Sequence, residues 1–187
     1  MKRLFRYLNG KLTKKTLLKS QTKLQRYKLH HQQVRSNIRM NREAVFEQLK
    51  IDEGVVYEVY NDHLGYPTFG VGHLVLETDE EFGQPVGTPV SEERVKECFE
   101  NDLDIACREC VALYEDGQFD NLPDEVQQIL VNMMFNMGRT RLSKFKKMHS
   151  AILEGDWKKA AVEGRDSRWY NQVTNRAERL MSRLENV

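Results

Sequence analysis

Residues 51–76 read IDEGVVYEVYNDHLGYPTFGVGHLVL. The segment leading into them, NREAVFEQLKIDEG, has helical spacing. Asn41 is an N-cap residue type, and Ala44, Val45, Leu49 and Ile51 supply the apolar face. Gly54 is the expected stop, because glycine takes the positive φ at which many helices end. Glu53 therefore falls in the last helical turn, where the helix dipole disfavours negative charge. From Val55 the period changes: Val55, Tyr57 and Val59 alternate with Val56, Glu58 and Tyr60, as in a strand. Asp62 to Gly65 reads as a turn. TFGVGHLVL reads as a returning strand, with glycines where backbone or ligand comes close. The pattern predicts a helix feeding a small antiparallel sheet, with one acid before the first strand and one after it.

Such a pair of acids has three readings. A plain surface turn needs no explanation. A calcium loop fits poorly, since DHLGYP lacks the alternating oxygen ligands of an EF-hand. A histidine-based zinc site also fits poorly, since His63 and His73 stand outside any H-E-x-x-H frame. The third reading is glycosidic hydrolysis, which needs one carboxyl group to protonate the leaving oxygen and another to activate water. The two must sit in different environments. Glu53, at a helix end beside an aliphatic strand, tends toward a raised pKa through burial and the dipole. Asp62, in a polar turn, tends to stay ionised. Their spacing alone does not decide between these readings.

Composition narrows the class. The chain has 187 residues, 40% hydrophobic and 30% charged, and a mean hydropathy of −0.67. This suits one domain plus an appendage. No run approaches the roughly 18 apolar residues of a membrane-spanning helix. The N-terminus lacks the apolar core of a secretory signal, so no cleaved export signal is expected. Cys98, Cys107 and Cys110 are an odd number within helix-like sequence. They read as reduced thiols packed on one helix face, in a reducing compartment; the C-x-x-C spacing of Cys107 and Cys110 leaves a zinc or redox role as the alternative.

The near-neutral net charge of +1 hides an asymmetry. Met1 to Arg42 holds 13 Lys and Arg and no Asp or Glu; Glu43 to Val187 holds 16 basic and 28 acidic residues, a balance of −12. Residues 1–42 are thus a basic arm, and 43–187 form the main domain. The arm has an irregular helical pattern (Leu4, Leu8, Leu17, Leu18, Leu24, Tyr27, Val34, Ile38) broken near Asn9-Gly10, and little to build its own core. It reads either as an anchor or targeting segment for an anionic partner, or as a solubilising or oligomerising extension. Its few aromatics (Phe5, Tyr7 and Tyr27) and lack of a motif frame argue against nucleic acid.

After the loop through Pro85 and Pro89 the pattern is helical. Ser91 caps ERVKECFENDLDIACRECVAL; Pro123 opens DEVQQILVNMMFNM, which Gly138 closes. Leu142–Leu153, Asp156–Val162 and Asn175–Leu184 follow as shorter helices. The fold class is α+β: a helix, a small sheet, then a helical lobe of five or six helices.

Three blocks carry a resemblance. I-D-E-G…D-x-x-G-Y-x-T-x-G-x-G-H-L, then NMMFNMG at 132–138, then DSRWYNQVTNRAERL at 166–180 resemble, in order and spacing, the lysozymes of the T-even phages. DWKKAA at 156–161 also fits. The resemblance spans about 43 to 184. It implies the lysozyme-like fold, with a small sheet lobe and a larger helical lobe. It implies a muramidase that cleaves the β-1,4 bond between N-acetylmuramic acid and N-acetylglucosamine of peptidoglycan, with inversion and with no metal or organic cofactor. On this resemblance Glu53 is the general acid, Asp62 the second catalytic carboxylate, and Thr68 the residue that helps hold the attacking water. Leu74 and Phe135 line the saccharide cleft, and Arg176 neighbours the catalytic glutamate.

Other residues have structural expectations. His73 is expected to pair with Asp102 and bridge the two lobes, and Arg179 to pair with Asp52. Trp169 and Tyr170 read as core rather than as a sugar platform. The sequence departs from the family's pattern in RTRLSKFKKMHS, which is unusually basic, in stopping soon after the last helix, and in the arm. The expected partner is the peptidoglycan glycan strand, with a virion tail or baseplate protein or an anionic surface as the arm's contact. The expected locations are the virion, or the host cytoplasm before release to the wall. The alternative is a catalytically idle virion protein that kept the fold.

Overall fold

The computed structural model describes residues 40–187, so expectations about residues 1–39 of the arm lie outside the described residues. The first helix, α1 (Arg42–Glu53), begins at Asn41, whose side chain accepts the Ala44 N–H at 3.1 Å. Its buried face is Val45, Phe46 and Leu49. Ile51, expected on that face, is instead 72% exposed. Residues at the end of the basic arm join this body. Met40 is buried, the Asn41 N–H donates to Asp124 at 2.8 Å, and Arg42 pairs with Glu100 and Asp104.

Strands β1 (Val56–Asn61), β2 (Pro67–Gly70) and β3 (His73–Leu74) form a three-stranded antiparallel sheet in chain order. Val56 opposes Gly70 and Tyr60 opposes Thr68, with an irregularity between them. The bulge breaks the simple alternation expected of β1: only Val59 in the strand is buried. The other edge of β1 is covered by the loop that the sequence placed beyond the sheet. Val59 exchanges hydrogen bonds with Thr88 (2.9 Å) and Gly87 (2.8 Å), and the Val90 N–H reaches Tyr57 at 2.9 Å. That pairing leaves no open strand edge there for another chain. Val59, Phe69, Val75, Val90, Val95 and Cys98 pack together beneath the sheet.

The long helix α2 (Glu92–Leu113) links this lobe to the helical one. Ser91 caps it, accepting the Arg94 N–H at 3.1 Å, with Glu92 and Glu93 in the first turn. Its stripe of Val95, Cys98, Phe99, Leu103, Ala106, Cys107 and Cys110 is buried at helical spacing. All three cysteines are free and buried, as expected. Burial pushes the Cys107 thiol up to about 12, so it is chemically quiet.

A short 3₁₀ turn (Phe119–Asn121) precedes α3 (Asp124–Met137). Every residue of α3 from Val126 to Met134 is buried, which makes it the axis of the lobe. Around it lie α4 (Arg139–Leu142), α5 (Lys146–Glu154), α6 (Trp157–Arg165), α7 (Arg168–Gln172) and α8 (Thr174–Glu185). Counting α2, seven α-helices follow the sheet among the described residues, where five or six were expected. The additional ones, α4 and α7, are one-turn helices too short to show a period.

Candidate active site

Glu53 is the last residue of α1, and Gly54 ends the helix at φ +78°, donating its N–H to Lys50 at 3.0 Å. The helix stop therefore sets where the carboxyl points. Burial was expected to shape this residue's environment, yet Glu53 is exposed. What holds it is a cation: Nη1 of the buried Arg176, on α8, donates to Oε1 of Glu53.

Arg176 is itself fixed from behind. Its Nε donates to Oδ1 of Asn132 at 2.9 Å and its Nη2 to the Asn132 carbonyl at 3.2 Å. Asn132 Nδ2 in turn donates to Oδ2 of Asp52 at 2.8 Å. The Asp52 side chain is wholly inaccessible to solvent and also receives the Arg179 guanidinium, as expected. Neighbouring acids on one helix end thus do different jobs. Asp52 is the buried counterion of the network, and Glu53 is its exposed tip. A buried charge network is tolerable only when its groups satisfy one another.

Asp62 closes the β1–β2 turn. Its Oδ1 accepts the N–H groups of Leu64 and Tyr66, both at 2.8 Å, and its backbone N–H donates to the Tyr66 carbonyl at 2.9 Å. Gly65, at φ +82°, lets the chain turn this tightly. Thr68 is buried on β2, and its hydroxyl donates to the same Tyr66 carbonyl at 2.9 Å. That bond uses the hydroxyl proton and leaves oxygen lone pairs as acceptors. Asp62 and Thr68 are therefore held in one hydrogen-bonded turn.

Tyr60, on β1, feels both candidate carboxylates. Burial, then the negative charges of Asp62 and Glu53, push its phenol above the ordinary range. One side chain on β1 thus lies in the field of both carboxylates. In sequence Tyr60 is marked only as a strand residue. Its place beside Asp62 was visible in the order of residues, but the bulge that turns β1 was not.

Leu74, on β3, is 43% exposed and opposes Thr68 in register. Phe135 is half-buried on α3 and packs on Phe99 with ring centroids 5.9 Å apart. The next residue, Asn136, lines a cavity of 510 Å³ together with Glu53, Gln172, Val173 and Arg176. Asn136, Gln172 and Val173 also line an adjoining cavity of 900 Å³ that includes Phe145 and Trp169. Trp169 is buried, its Nε1 donating to Asn136 at 2.9 Å, while the Tyr170 hydroxyl donates to Glu178 at 2.9 Å. The basic run noted in the sequence supplies the rim of the larger cavity, with Arg141, Lys144, Lys146 and Lys147. Among the described residues, His73, Asp79 and Cys98 form one cluster of metal-ligand types, outside these cavities.

The chain is similar to known proteins over most of this domain. The phage lysozyme family matches residues 50–186. The pre-baseplate central spike protein Gp5 of Enterobacteria phage T4 is 35% identical over 153 residues, covering 73% of this chain. The match spans only 27% of that longer protein. Probable T4-type lysozyme 1 of Dictyostelium discoideum is 30% identical over 164 residues, covering 76% of this chain and 94% of the relative. Peptidoglycan hydrolase gp36 of Pseudomonas phage phiKMV is 29% identical over 127 residues, 68% of this chain and 13% of that protein.

Proposed function

This chain belongs to the phage lysozyme family, and on that premise we propose that it is a phage-associated muramidase. It hydrolyses the β-1,4 bond between N-acetylmuramic acid and N-acetylglucosamine of peptidoglycan. The observation that carries the reading is the pair of differently held carboxylates. Glu53 is pinned by Arg176 at the edge of a cavity, Asp62 is locked in a turn with Thr68, and Tyr60 feels both.

In this mechanism Glu53 gives its proton to the glycosidic oxygen as the C1–O bond breaks. Water adds to C1 from the opposite face of the sugar, and Asp62 takes its proton, which inverts the configuration. The Thr68 oxygen holds that water by accepting its other hydrogen. Arg176 keeps Glu53 aimed and needs no movement to do so, because Asn132 fixes its guanidinium. Leu74 and Phe135 supply apolar walls for the saccharide. The cationic rim of the 900 Å³ cavity gives an anionic wall polymer a complementary surface.

Replacing Glu53 by Gln removes the proton and keeps the shape. The expected result is at least a ~100-fold loss of clearing of outer-membrane-stripped cells, the scale of one general acid, with an unchanged circular dichroism spectrum. Clearing at the parent rate by the pure variant would refute the assignment. A parent protein that is folded but clears no wall would instead favour the idle structural reading.

The resemblance to a baseplate spike protein favours a virion-associated setting. In that setting the basic residues 1–42 hold the enzyme to a tail or baseplate protein or to an anionic surface. The alternative is a free endolysin released to the wall late in infection. Mass spectrometry of purified particles separates them: absence of the chain from the particle removes the anchored setting.

A further inference from the structure

His73 on β3 and Asp79 in the turn after it meet Cys98, which α2 brings in from a separate segment of the fold. One donor atom from each lies within 4.8 Å of the others. His73 and Cys98 are buried, and the Asp79 side chain is only 13% exposed. The muramidase mechanism uses none of the three.

The orientation of the groups matters more than their proximity. His73 Nδ1 is 2.7 Å from Oδ2 of Asp102, which leaves Nε2 facing Oδ2 of Asp79 at 3.2 Å. A ligating histidine usually donates its other ring N–H to a carboxylate, which fixes both tautomer and ring plane. Asp102 occupies that outer position. Asp79 is also oriented from outside: its Oδ2 accepts the Leu76 N–H at 2.6 Å and its Oδ1 accepts from Arg94 at 3.1 Å. The Arg94 charge is shared with Glu81 and Glu97, at 3.0 Å each, so it is not directed at Asp79 alone.

We propose that His73, Asp79 and Cys98 bind a zinc-type divalent cation, with Asp102 as the outer carboxylate. One imidazole, one thiolate and one carboxylate are a zinc or cobalt(II) donor set rather than a calcium or magnesium one. Donor atoms around a tetrahedral zinc stand about 3.3–3.8 Å apart, from bonds of about 2.0–2.3 Å. The edge from His73 Nε2 to Asp79 Oδ2, at 3.2 Å, is already that short, and no donor pair exceeds 4.8 Å, so closing the cluster takes at most a contraction of roughly one ångström. On binding, the metal replaces a proton on His73 Nε2 and the thiol proton of Cys98. The two ligand anions then balance the dication, and the fourth position is filled by water. The ion ties β3 and the following turn to the long helix, so it acts as a staple between lobes and not as a catalyst.

The test uses the full chain, stripped with chelator, kept reduced and titrated with cobalt(II). The expected result is one ion per chain with a thiolate-to-cobalt charge-transfer band, and a higher melting temperature with zinc. Asp79→Asn should weaken binding at least tenfold. Asp102→Asn should keep the band and weaken affinity by ~10–100-fold, the usual effect of losing an outer carboxylate. Cys98→Ser should abolish the band, while Cys107→Ala with Cys110→Ala should leave it intact. No band in the parent protein overturns the proposal, as does a band that survives in folded Cys98→Ser. Binding without a thiolate band would also overturn it, because it would place the ion elsewhere, for example at His30 and His31.

Discussion

Asp102→Asn should destabilise the chelator-treated protein strongly in acid and hardly at all in base. His73 is buried on β3 between Asp102, at 2.7 Å from Nδ1, and Asp79, at 3.2 Å from Nε2, with Cys98 alongside and the Phe69 ring at 4.9 Å. Burial alone pulls the imidazolium down. The hydrogen bonds to Asp102 and Cys98 and their charges outweigh it and lift His73 from 6.5 to about 10. At about 1.36 kcal/mol per pH unit, that gap of about 3.5 corresponds to a ceiling of about 5 kcal/mol. The folded value lies above the unfolded one. The stabilisation is therefore complete below about pH 6.5, declines between about 6.5 and 10, and is gone above that. Asp102 is 27% exposed, Asp79 remains on the other nitrogen, and Asn still accepts a hydrogen bond, so one substitution removes part of the total. We expect a loss of about 2–3 kcal/mol at about pH 5.5. For a domain of this size that is a fall in melting temperature of roughly 4–12 °C. Urea unfolding of parent and variant with EDTA, at about pH 5.5, 7.5 and 10, gives the answer. A stability gap that is constant with pH, or that widens toward base, would show that the His73–Asp102 pair is not its source. So would a His73 ring resonance that titrates near 6.5.

Three other sites in the fold give further outcomes. Arg176→Met leaves Asp52, whose side chain has no solvent access, short of a cation and frees Glu53; a loss of about 3–5 kcal/mol in urea unfolding and a fall in wall clearing are expected. Arg176→Lys keeps the charge without the fork, so it should recover stability better than activity, and full activity in either variant would detach Arg176 from Glu53's role. Gly164→Ala on α6 places a Cβ 2.1 Å from the sulfur of Met181, itself fully buried on α8, and should cost about 1–3 kcal/mol by overpacking, read as a lower urea midpoint. Asp62→Asn removes one of the two negative charges acting on Tyr60, so the phenol should titrate lower by NMR; an unmoved Tyr60 would mean the two halves of the site do not face one space.

Local signals in the sequence predicted local structure well, because caps and stops act over three or four residues. Asn41, Gly54, Ser91 and Gly138 sit where their chemistry requires, and Gly54 is what fixes Glu53 at a helix end. The pairings of Arg176 with Glu53, Arg179 with Asp52 and His73 with Asp102 also stand in the structure. What the sequence hid depends on contacts between distant segments. The return of residues 87–90 onto β1 and the bulge before Tyr60 come from tertiary packing, and no short window encodes them. Glu53 shows the same limit in its energetics. A helix-terminal acid beside an aliphatic strand was expected to be governed by burial, but α8 brings a cation from 123 residues away and the side chain remains 30% exposed. Cys98 is the sharpest instance. In sequence it is one apolar member of a helix stripe, indistinguishable from Val95 or Leu103. Only the sheet packed against α2 brings it beside an imidazole and a carboxylate, whereas Cys107, nine residues on and so about half a turn of the helix away, points elsewhere.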